Sequence, residues 1–457
     1  MGNSRIVIEA WKERFFPENL CTDEGVIQDF SKDATSYTGN GQAVFFARNT
    51  GEIQKLVNLA REEKIPLVAR GAGTGQSGGA VPARGGIIVS FQKMNKILSI
   101  DRCERVACVE AGVITSSLQQ AVSDVGLFYP PDPASLDKCS IGGNIAENAG
   151  GARCFKYGTT KDYVLGLEII TAAGDIITTS PALLKNVMGF DLTKLICGSE
   201  GTLALVCKAW LKLLVKPDFH YTFLLEYGRE EAALHQVSDF LHAGLSPSTM
   251  EWLDKTAISL IKEDNSGLFQ SAATESVLII EFDGMCREEV ETHAKRLLKH
   301  SVAEHYQLIK EQEKAEVIWE VRRALSPKLK TLNRIKWNED IVVPRHLIPE
   351  CVKMTRTFAY KHDFLPVMFG HAGDGNIHVN FLLQKKSAKQ LNRVKILQEF
   401  FAKVIAMGGS LTGEHGIGLS KAEHLEIALG RAQMELIRRI KSSFDPDNIL
   451  NPGKMNL

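Results

Sequence analysis

Residues 68 to 82 read VARGAGTGQSGGAVP, and within them Gly73, Gly75 and Gly78 have the G-x-G-x-x-G spacing of a dinucleotide-binding turn. In such a turn a helix starts inside the fingerprint, because its N-terminal N–H groups and partial positive charge hold the pyrophosphate. Here Gly79 is followed by AVPARGG and then by the apolar run IIVSF (87 to 91), which reads as a strand. No helix fits between them, so the spacing does not mark a Rossmann fold. Five glycines in nine residues (71 to 79) still exceed what a corner needs. Without Cβ atoms, successive backbone N–H groups can converge on an anion, and that is the reading we adopt for this loop.

Around the loop the pattern is mixed. Residues 43 to 48 and 65 to 70 read as strands, with a helix between them carrying Ile53, Leu56, Val57 and Ala60 and Thr50 as its expected N-cap. Strands follow at 87 to 91 and 106 to 112, then a helix from Thr115 stopped by Gly126. Residues 164 to 179 read as a hairpin around Ala-Gly-Asp, and 198 to 215 as a turn leading into a strand. Near 216 the glycine-rich β pattern gives way to amphipathic helices at 230 to 243, 286 to 300, 313 to 333 and 388 to 407, between a few strands. A second domain is expected to begin there. The tail from 431 holds one helix and an extended end.

Length and composition set outer bounds. The chain has 457 residues, enough for two or three domains. Lys plus Arg and Asp plus Glu both number 54, so no basic field favours a nucleic-acid partner. The nine cysteines have no C-x-x-C pair, which speaks against a disulfide framework or zinc ribbon. The first twenty residues lack the apolar core of a signal peptide, and no apolar run approaches a membrane span. A cytoplasmic protein is expected, with docking on a membrane's inner face left open.

A second glycine-rich stretch, PPDPASLDKCSIGGNIAENAGG (130 to 151), repeats the logic of the first, and GSEGTL (198 to 203) adds a third turn. Glycines beside the amides of Asn144 and Asn148 would let backbone approach a flat or phosphorylated ligand while amides bond its polar edge. Together the three stretches describe a long ligand along one face of a domain.

Two further glycine-rich turns gather histidines. Residues 366 to 383, PVMFGHAGDGNIHVNFLL, read as two strands joined through Gly-Asp-Gly-Asn. Strict alternation puts His378 and Asn380 on one face, and His371 on the opposing strand can reach that face. Glu414 and His415 lie in GGSLTGEHGIG (408 to 418), too glycine-rich for helix. Imidazoles and a carboxylate in such company suit a metal ion or acid–base chemistry. His220, His362 and the other histidines have no such company and read as ordinary core or surface groups.

The runs ARGAGTGQSGG, PPDPAS…IGGNIAENAGG and GSEGTL resemble the FAD-binding domain of the vanillyl-alcohol-oxidase (PCMH-type) superfamily. GHAGDGNIHVN and GEHGIG resemble the metal and catalytic motifs of its branch of glycolate oxidase large subunits, D-lactate dehydrogenases and D-2-hydroxyglutarate dehydrogenases. The likeness spans about residues 35 to 457. It implies an α+β fold: a PCMH-type FAD-binding domain (35 to 216) after an N-terminal segment (1 to 34), then an α+β substrate domain with an antiparallel sheet (217 to 410). A C-terminal segment (411 to 457) would return to the FAD domain and complete the active site.

By the same resemblance Arg70, Gly71, Ala72, Gly73, Thr74, Gly75, Ser77, Gly78 and Gly79 cradle the FAD pyrophosphate. Pro131, Ser135, Gly143, Asn144 and Asn148 line the flavin and ribityl region, with Glu200 and Gly201 near it. Thr74 stands where covalently flavinylated relatives carry His, which implies non-covalent FAD. His371, His378 and Glu414 would hold a divalent ion, zinc or manganese or ferrous iron, with His415 as base. Arg322 would clamp a substrate carboxylate, Asn380 would touch substrate, and Arg323 reads as a solvated helix charge.

Where the 2-hydroxyglutarate enzymes place Lys, this chain has Asn338, with Lys336 two residues earlier, which favours a small acid such as D-lactate or glycolate. The implied activity is FAD-dependent oxidation of a D-2-hydroxy acid. Its electron acceptor would be a quinone, a cytochrome, an electron-transfer flavoprotein or an iron-sulfur subunit, and the assemblies left open include a homodimer. Rival readings stand beside it: the flavin subunit of a glycolate oxidase complex, a D-2-hydroxyglutarate dehydrogenase, and, behind these, a flavin-dependent alkyl transferase.

Overall fold

The computed structural model describes residues 2–262, 265–385 and 391–457. The chain divides into two compact units, one comprising residues 1–150, 159–215 and 414–457 and the other 151–158 and 216–413.

The first unit holds a four-stranded sheet in the order β1-β2-β4-β3, from β1 (Leu20–Cys21), β2 (Ala43–Phe46), β3 (Leu67–Arg70) and β4 (Ile87–Ser90). β2 and β3 both run parallel to β4. Parallel neighbours need a crossover of a dozen or more residues, and between β3 and β4 that crossover is the glycine loop itself, with turns and no helix from 71 to 86. A five-stranded antiparallel sheet has the order β5-β6-β10-β8-β9, from β5 (Ile97–Asp101), β6 (Val106–Glu110), β8 (Val164–Ile170), β9 (Ile176–Thr178) and β10 (Leu205–Lys212). The short pair β7 (Leu127–Phe128) and β11 (Leu214–Val215) completes the strands. The expected hairpin is β8–β9, turning at Gly174 with φ +88°.

The helix Thr50–Glu62 buries Ile53, Leu56, Val57 and Ala60, one apolar stripe at helical spacing. Its cap corrects the expectation of Thr50. Asn49 is the extended residue at the start, and its side chain accepts the Glu52 N–H at 2.9 Å, while the Thr50 hydroxyl donates to Glu168. A helix over Ile141–Glu147 lies inside the second glycine-rich stretch, with Ser140 accepting the Gly143 N–H. Two glycines in its first turn hide it from propensity, since each costs about 1 kcal/mol against Ala. They are there for close approach, because a Cβ on Gly142 would come within 2.8 Å of the Ala111 Cβ.

The C-terminal tail joins this unit. Leu67 donates to the Ile449 carbonyl at 2.7 Å and Asn451 donates back to Leu67 at 2.8 Å, which places Ile449 and Leu450 in the core with Phe45, Val89 and Leu205. The helix Leu425–Phe444 starts earlier than the expected 431, breaking its regular geometry at Gly430.

The second unit is built on a seven-stranded antiparallel sheet in the order β15-β12-β14-β13-β17-β18-β16. Its strands are β12 (Phe219–Tyr227), β13 (Thr249–Leu253), β14 (Ser276–Gly284), β15 (His305–Ile309), β16 (Ile335–Val342), β17 (Leu365–His371) and β18 (Asn376–Leu383). One face packs Leu224, Leu253, Val277, Ile279, Val367, Phe369 and Leu382 against Ala257, Ile258 and Ile261 of one helix and Ile318, Val321, Leu325 and Leu329 of another, Gln312–Thr331. Further helices run over Glu230–His242, Arg287–His300, Ile348–Lys361 and Arg393–Ala406. The beginning of the helix expected at 388 lies outside the described residues.

Candidate functional site

The apolar rows of the seven-stranded sheet continue into polar ones on the same face, and register decides which side chains meet. Glu251 on β13 lies opposite His371 on β17. One step along, Phe369 is opposite His378 and His378 opposite Asp340, and a further step sets Val367, Asn380 and Asn338 in line. His371 itself is opposite Asn376, so the two histidines are diagonal rather than direct partners. Diagonal neighbours remain within reach of large side chains. The imidazole centroids stand 5.2 Å apart at 85°, and both side chains are buried.

Glu251, which the sequence reading passed over, organises this face. Its carboxylate hydrogen-bonds His371 Nδ1 and accepts from Arg322 Nε at 2.7 Å, with an Arg322 Nη at 2.6 Å. Burial pushes its carboxyl up, but Arg322 and then His371 outweigh burial and hold it at about 2. A carboxylate on Nδ1 fixes the tautomer that leaves Nε2 as the ligating nitrogen. Arg322, on the helix Gln312–Thr331, also stacks over the Phe369 ring at 4.6 Å. The expected carboxylate clamp therefore already carries a carboxylate partner. Arg323 pairs with Glu316 on an exposed face. The one local clue to Glu251 was a charge inside the otherwise β-prone run Thr-Met-Glu-Trp-Leu.

Asp340, also unforeseen, is fully buried. It accepts from the Thr412 hydroxyl at 3.0 Å and the Gly413 N–H at 2.9 Å, and a Cβ on Gly413 would sit 2.4 Å from the Asn376 amide. This pins the chain immediately before Glu414. Among the described residues, His371, His378 and Glu414 form one group of three potential metal ligands, with one ligand atom of each within 4.8 Å of the others. Glu414 is peptide-bonded to the pinned Gly413. Two imidazoles and a carboxylate are a donor set that zinc, manganese and ferrous iron all accept. Asn380 is buried and its amide donates to the Val367 carbonyl at 3.3 Å.

In the first unit, the glycine loop shows why side chains are absent from it. Gly73 adopts φ +73°, and a Cβ there would fall 2.1 Å from the Arg70 guanidinium. Arg70 is buried, donates to the Lys32 carbonyl and stacks over Phe30; burial draws its pKa down, with Asp33 opposing. A Cβ on Gly71 would meet the Ser140 hydroxyl, whereas one on Gly75 would find nothing nearer than 4.0 Å. The open space at Gly75 leaves room for a pyrophosphate beside the backbone, while the Gly78 N–H donates to Asp33 at 2.9 Å. Ala72, Thr74 and Gly75 are partly accessible, and Ser77, Gly78 and Gly79 are buried beneath.

The other expected cofactor residues are partly engaged within the fold. Asn144 donates to the Thr115 hydroxyl at 2.7 Å, and Asn148, in the left-handed region at φ +52°, accepts the Lys161 N–H. Gly143 lies in the first turn of its helix; the Pro131 carbonyl accepts from Gln119, and the Ser135 carbonyl caps a turn at Cys139. Gly201 turns the chain at φ +69°. Glu200 is buried, and its carboxylate accepts the N–H groups of Ile417 at 2.8 Å and Gly418 at 2.7 Å, so it holds the turn that carries His415. His415 Nε2 stands 3.3 Å from the Gln76 amide nitrogen and 3.7 Å from Glu414 Oε1.

Comparison with known proteins places this arrangement in a family. Residues 41–180 match the family described as FAD binding domain, and residues 216–455 match FAD linked oxidases, C-terminal domain. Glycolate oxidase subunit GlcD of Bacillus subtilis is 41% identical over 444 residues, 96% of this chain and 94% of its own. A D-lactate dehydrogenase of Anaerostipes hadrus is 32% identical, covering 98% and 97%. A D-2-hydroxyglutarate dehydrogenase of Stutzerimonas stutzeri is 31% identical, covering 98% of both. Among solved structures, 4-ethylphenol oxidase from Gulosibacter chungangensis superimposes with a TM-score of 0.79 at 19% identity over 99% of this chain and 97% of its own, a likeness of fold. With both halves matched and full-length relatives above 30% identity, the chain belongs to the FAD-linked oxidase family and is an FAD-dependent oxidoreductase with a PCMH-type FAD-binding fold.

Proposed function

We propose that the protein oxidises a small D-2-hydroxy acid, D-lactate or glycolate, to the 2-oxo acid. The observation that carries this reading is the set of buried His371 and His378 with the half-buried Glu414, and Glu251 locking the His371 ring. The names of the relatives, a glycolate oxidase subunit and a D-lactate dehydrogenase, support the substrate class. When bound, FAD supplies the acceptor for the hydride leaving C2, and a divalent ion supplies a Lewis acid beside the hydroxyl oxygen.

The chain's own residues do the rest. His371, His378 and Glu414 hold the ion, and Arg70, Gly71, Ala72, Gly73, Thr74, Gly75, Ser77, Gly78 and Gly79 hold the pyrophosphate. Arg322 has five N–H donors, and those not facing Glu251 pair with the substrate carboxylate, while Asn380 lines the same face. His415 takes the hydroxyl proton, as a positioned imidazole does near neutral pH. Residues 35 to 216 serve the cofactor and 217 to 410 the substrate, and we read the protein as cytoplasmic; among the described residues no helix is long and apolar enough to cross a membrane.

Anaerobic addition of D-lactate or glycolate to the FAD-loaded protein should bleach the visible flavin band. His415→Ala should abolish bleaching with FAD retained; near-normal bleaching in that variant removes His415 as base. His378→Ala should lose the ion by elemental analysis. FAD should appear in the supernatant after acid precipitation, because Thr74 offers no ring nitrogen for a covalent bond.

A second reading rests on two relatives, from Bacillus subtilis and Escherichia coli, each a glycolate oxidase subunit. In it this chain is the flavin subunit of a complex and passes electrons to an iron-sulfur partner. Co-purification of such a protein from native lysate favours it. An unbleached flavin band with every 2-hydroxy acid would instead favour the rival reading of a flavin-dependent alkyl transferase; the fold, though no more than the fold, is shared with alkyldihydroxyacetonephosphate synthase at a TM-score of 0.77 and 18% identity over 98% of this chain and 86% of its own.

A further inference from the structure

We propose that Gln76, a residue of the glycine loop, is a positioning residue that sets the tautomer and aim of the His415 imidazole. This rests on the reading of His415 as the base. The Gln76 amide nitrogen lies 3.3 Å from His415 Nε2. Contacts between the two segments, and of the turn with Glu200, hold them in place. Leu419 and Ser420 donate their N–H groups to the Ser77 carbonyl at 2.8 and 3.0 Å. Ile417 and Gly418 donate to Glu200. The Glu147 carboxyl is wedged against the turn, where a Cβ on Gly416 would come within 2.0 Å of its Oε2 and one on Gly418 within 2.3 Å of the Ser77 carbonyl. The loop that holds Gln76 and the turn that holds His415 are thus one interlocked piece of the first unit.

A neutral imidazole has one N–H donor and one lone-pair nitrogen, and the partner of either nitrogen decides which is which. An amide N–H facing Nε2 makes Nε2 the acceptor and puts the ring proton on Nδ1. The Glu414 oxygen stands farther off, 3.7 Å from the same nitrogen, longer than a hydrogen bond. Nε2 is then the nitrogen able to receive the substrate's hydroxyl proton. The amide stands in for that hydroxyl until substrate arrives, since each offers one hydrogen to the same lone pair. Because Gln76 sits between Gly75 and Ser77, the cofactor loop and the base share one element.

Two variants test this. Gln76→Met keeps side-chain length without a donor, and Gln76→Glu keeps the shape but can only accept. The first readout needs neither cofactor nor substrate: 15N spectra of histidine-labelled protein, with the His415 signals assigned by their loss in His415→Gln. The wild type should show Nε2 as unprotonated acceptor. Gln76→Glu should move it to the protonated type, and Gln76→Met should give a mixture.

The second readout is anaerobic stopped-flow reduction of the FAD-loaded protein by D-lactate. Gln76→Met should lower the limiting rate about tenfold to hundredfold, the scale seen when an orienting partner of a functional imidazole is lost, with the KM and FAD affinity within about twofold of wild type. Retained FAD affinity shows that the variant has folded. Nε2 signals unchanged in both variants, or a limiting rate within twofold of wild type in Gln76→Met, overturn the assignment. Wild-type reduction by His415→Ala overturns the parent reading instead.

Discussion

Replacing Glu251 with Ala removes a carboxylate that Arg322 and His371 share. The side chain is fully buried, and Arg322 keeps only 11% of its own side-chain surface exposed. Breaking such a pair from one side leaves an uncompensated charge inside the protein, which costs about 3–5 kcal/mol. For a unit of roughly 200 residues, each kcal/mol moves the midpoint of thermal unfolding by about 2–4 °C, so Glu251→Ala should lower it by about 6–20 °C in scanning calorimetry. The same variant should weaken metal retention about tenfold to hundredfold, because His371 loses the bond that fixes its tautomer. Glu251→Leu combined with Arg322→Leu should recover much of the stability, since no lone charge remains, but not the metal affinity. A thermal midpoint within 2 °C of wild type together with unchanged metal content in Glu251→Ala would refute the role given to this carboxylate.

Lys336 carries a testable pH dependence. Its Nζ is buried and finds no hydrogen-bond partner among the described residues, and burial, helped by Lys330, holds its pKa down at about 8 against an ordinary 10.5. The cost of keeping it charged is fully present below pH 8 and gone above 10.5. Lys336→Met should therefore stabilise the protein at pH 7, by about 1–3 kcal/mol in denaturant unfolding, and the gain should fade between pH 8 and 10.5; a destabilised variant at pH 7 would contradict this. Gly73→Ala should weaken FAD binding at least tenfold by fluorescence titration, because the new methyl meets the Arg70 guanidinium in a backbone region that L residues avoid; wild-type affinity would show that the loop tolerates a Cβ.

Local pattern was sufficient for most elements. The alternation through Ile377-His378-Val379-Asn380-Phe381 put His378 and Asn380 on one face, and β18 runs over Asn376–Leu383. The stripe Ile53, Leu56, Val57 and Ala60 marked its helix to within a residue. The absence of room for a helix after Gly79 excluded a Rossmann turn, and the loop is indeed a turn-only crossover between parallel strands. Local pattern failed where a distant neighbour decides. Gly142 and Gly143 disfavour helix, yet Ile141–Glu147 is helical, with Gly142 packed too closely on Ala111 and Gly71 too closely on Ser140 for a Cβ at either glycine.

The sequence by itself determined the family, the helix-free glycine loop and the grouping of His371, His378, Glu414 and His415 into two turns, because glycine and histidine leave signatures that local chemistry explains. Only the tertiary structure decided that the histidines meet diagonally, that Arg322 and His371 converge on Glu251, and that Glu200 reaches the Ile417–Gly418 turn. Glu251 is 120 residues from His371, and Glu200 is 217 from Ile417. A carboxylate's partner at that separation is set by strand register and buried desolvation, and neither leaves a mark in the residues beside it.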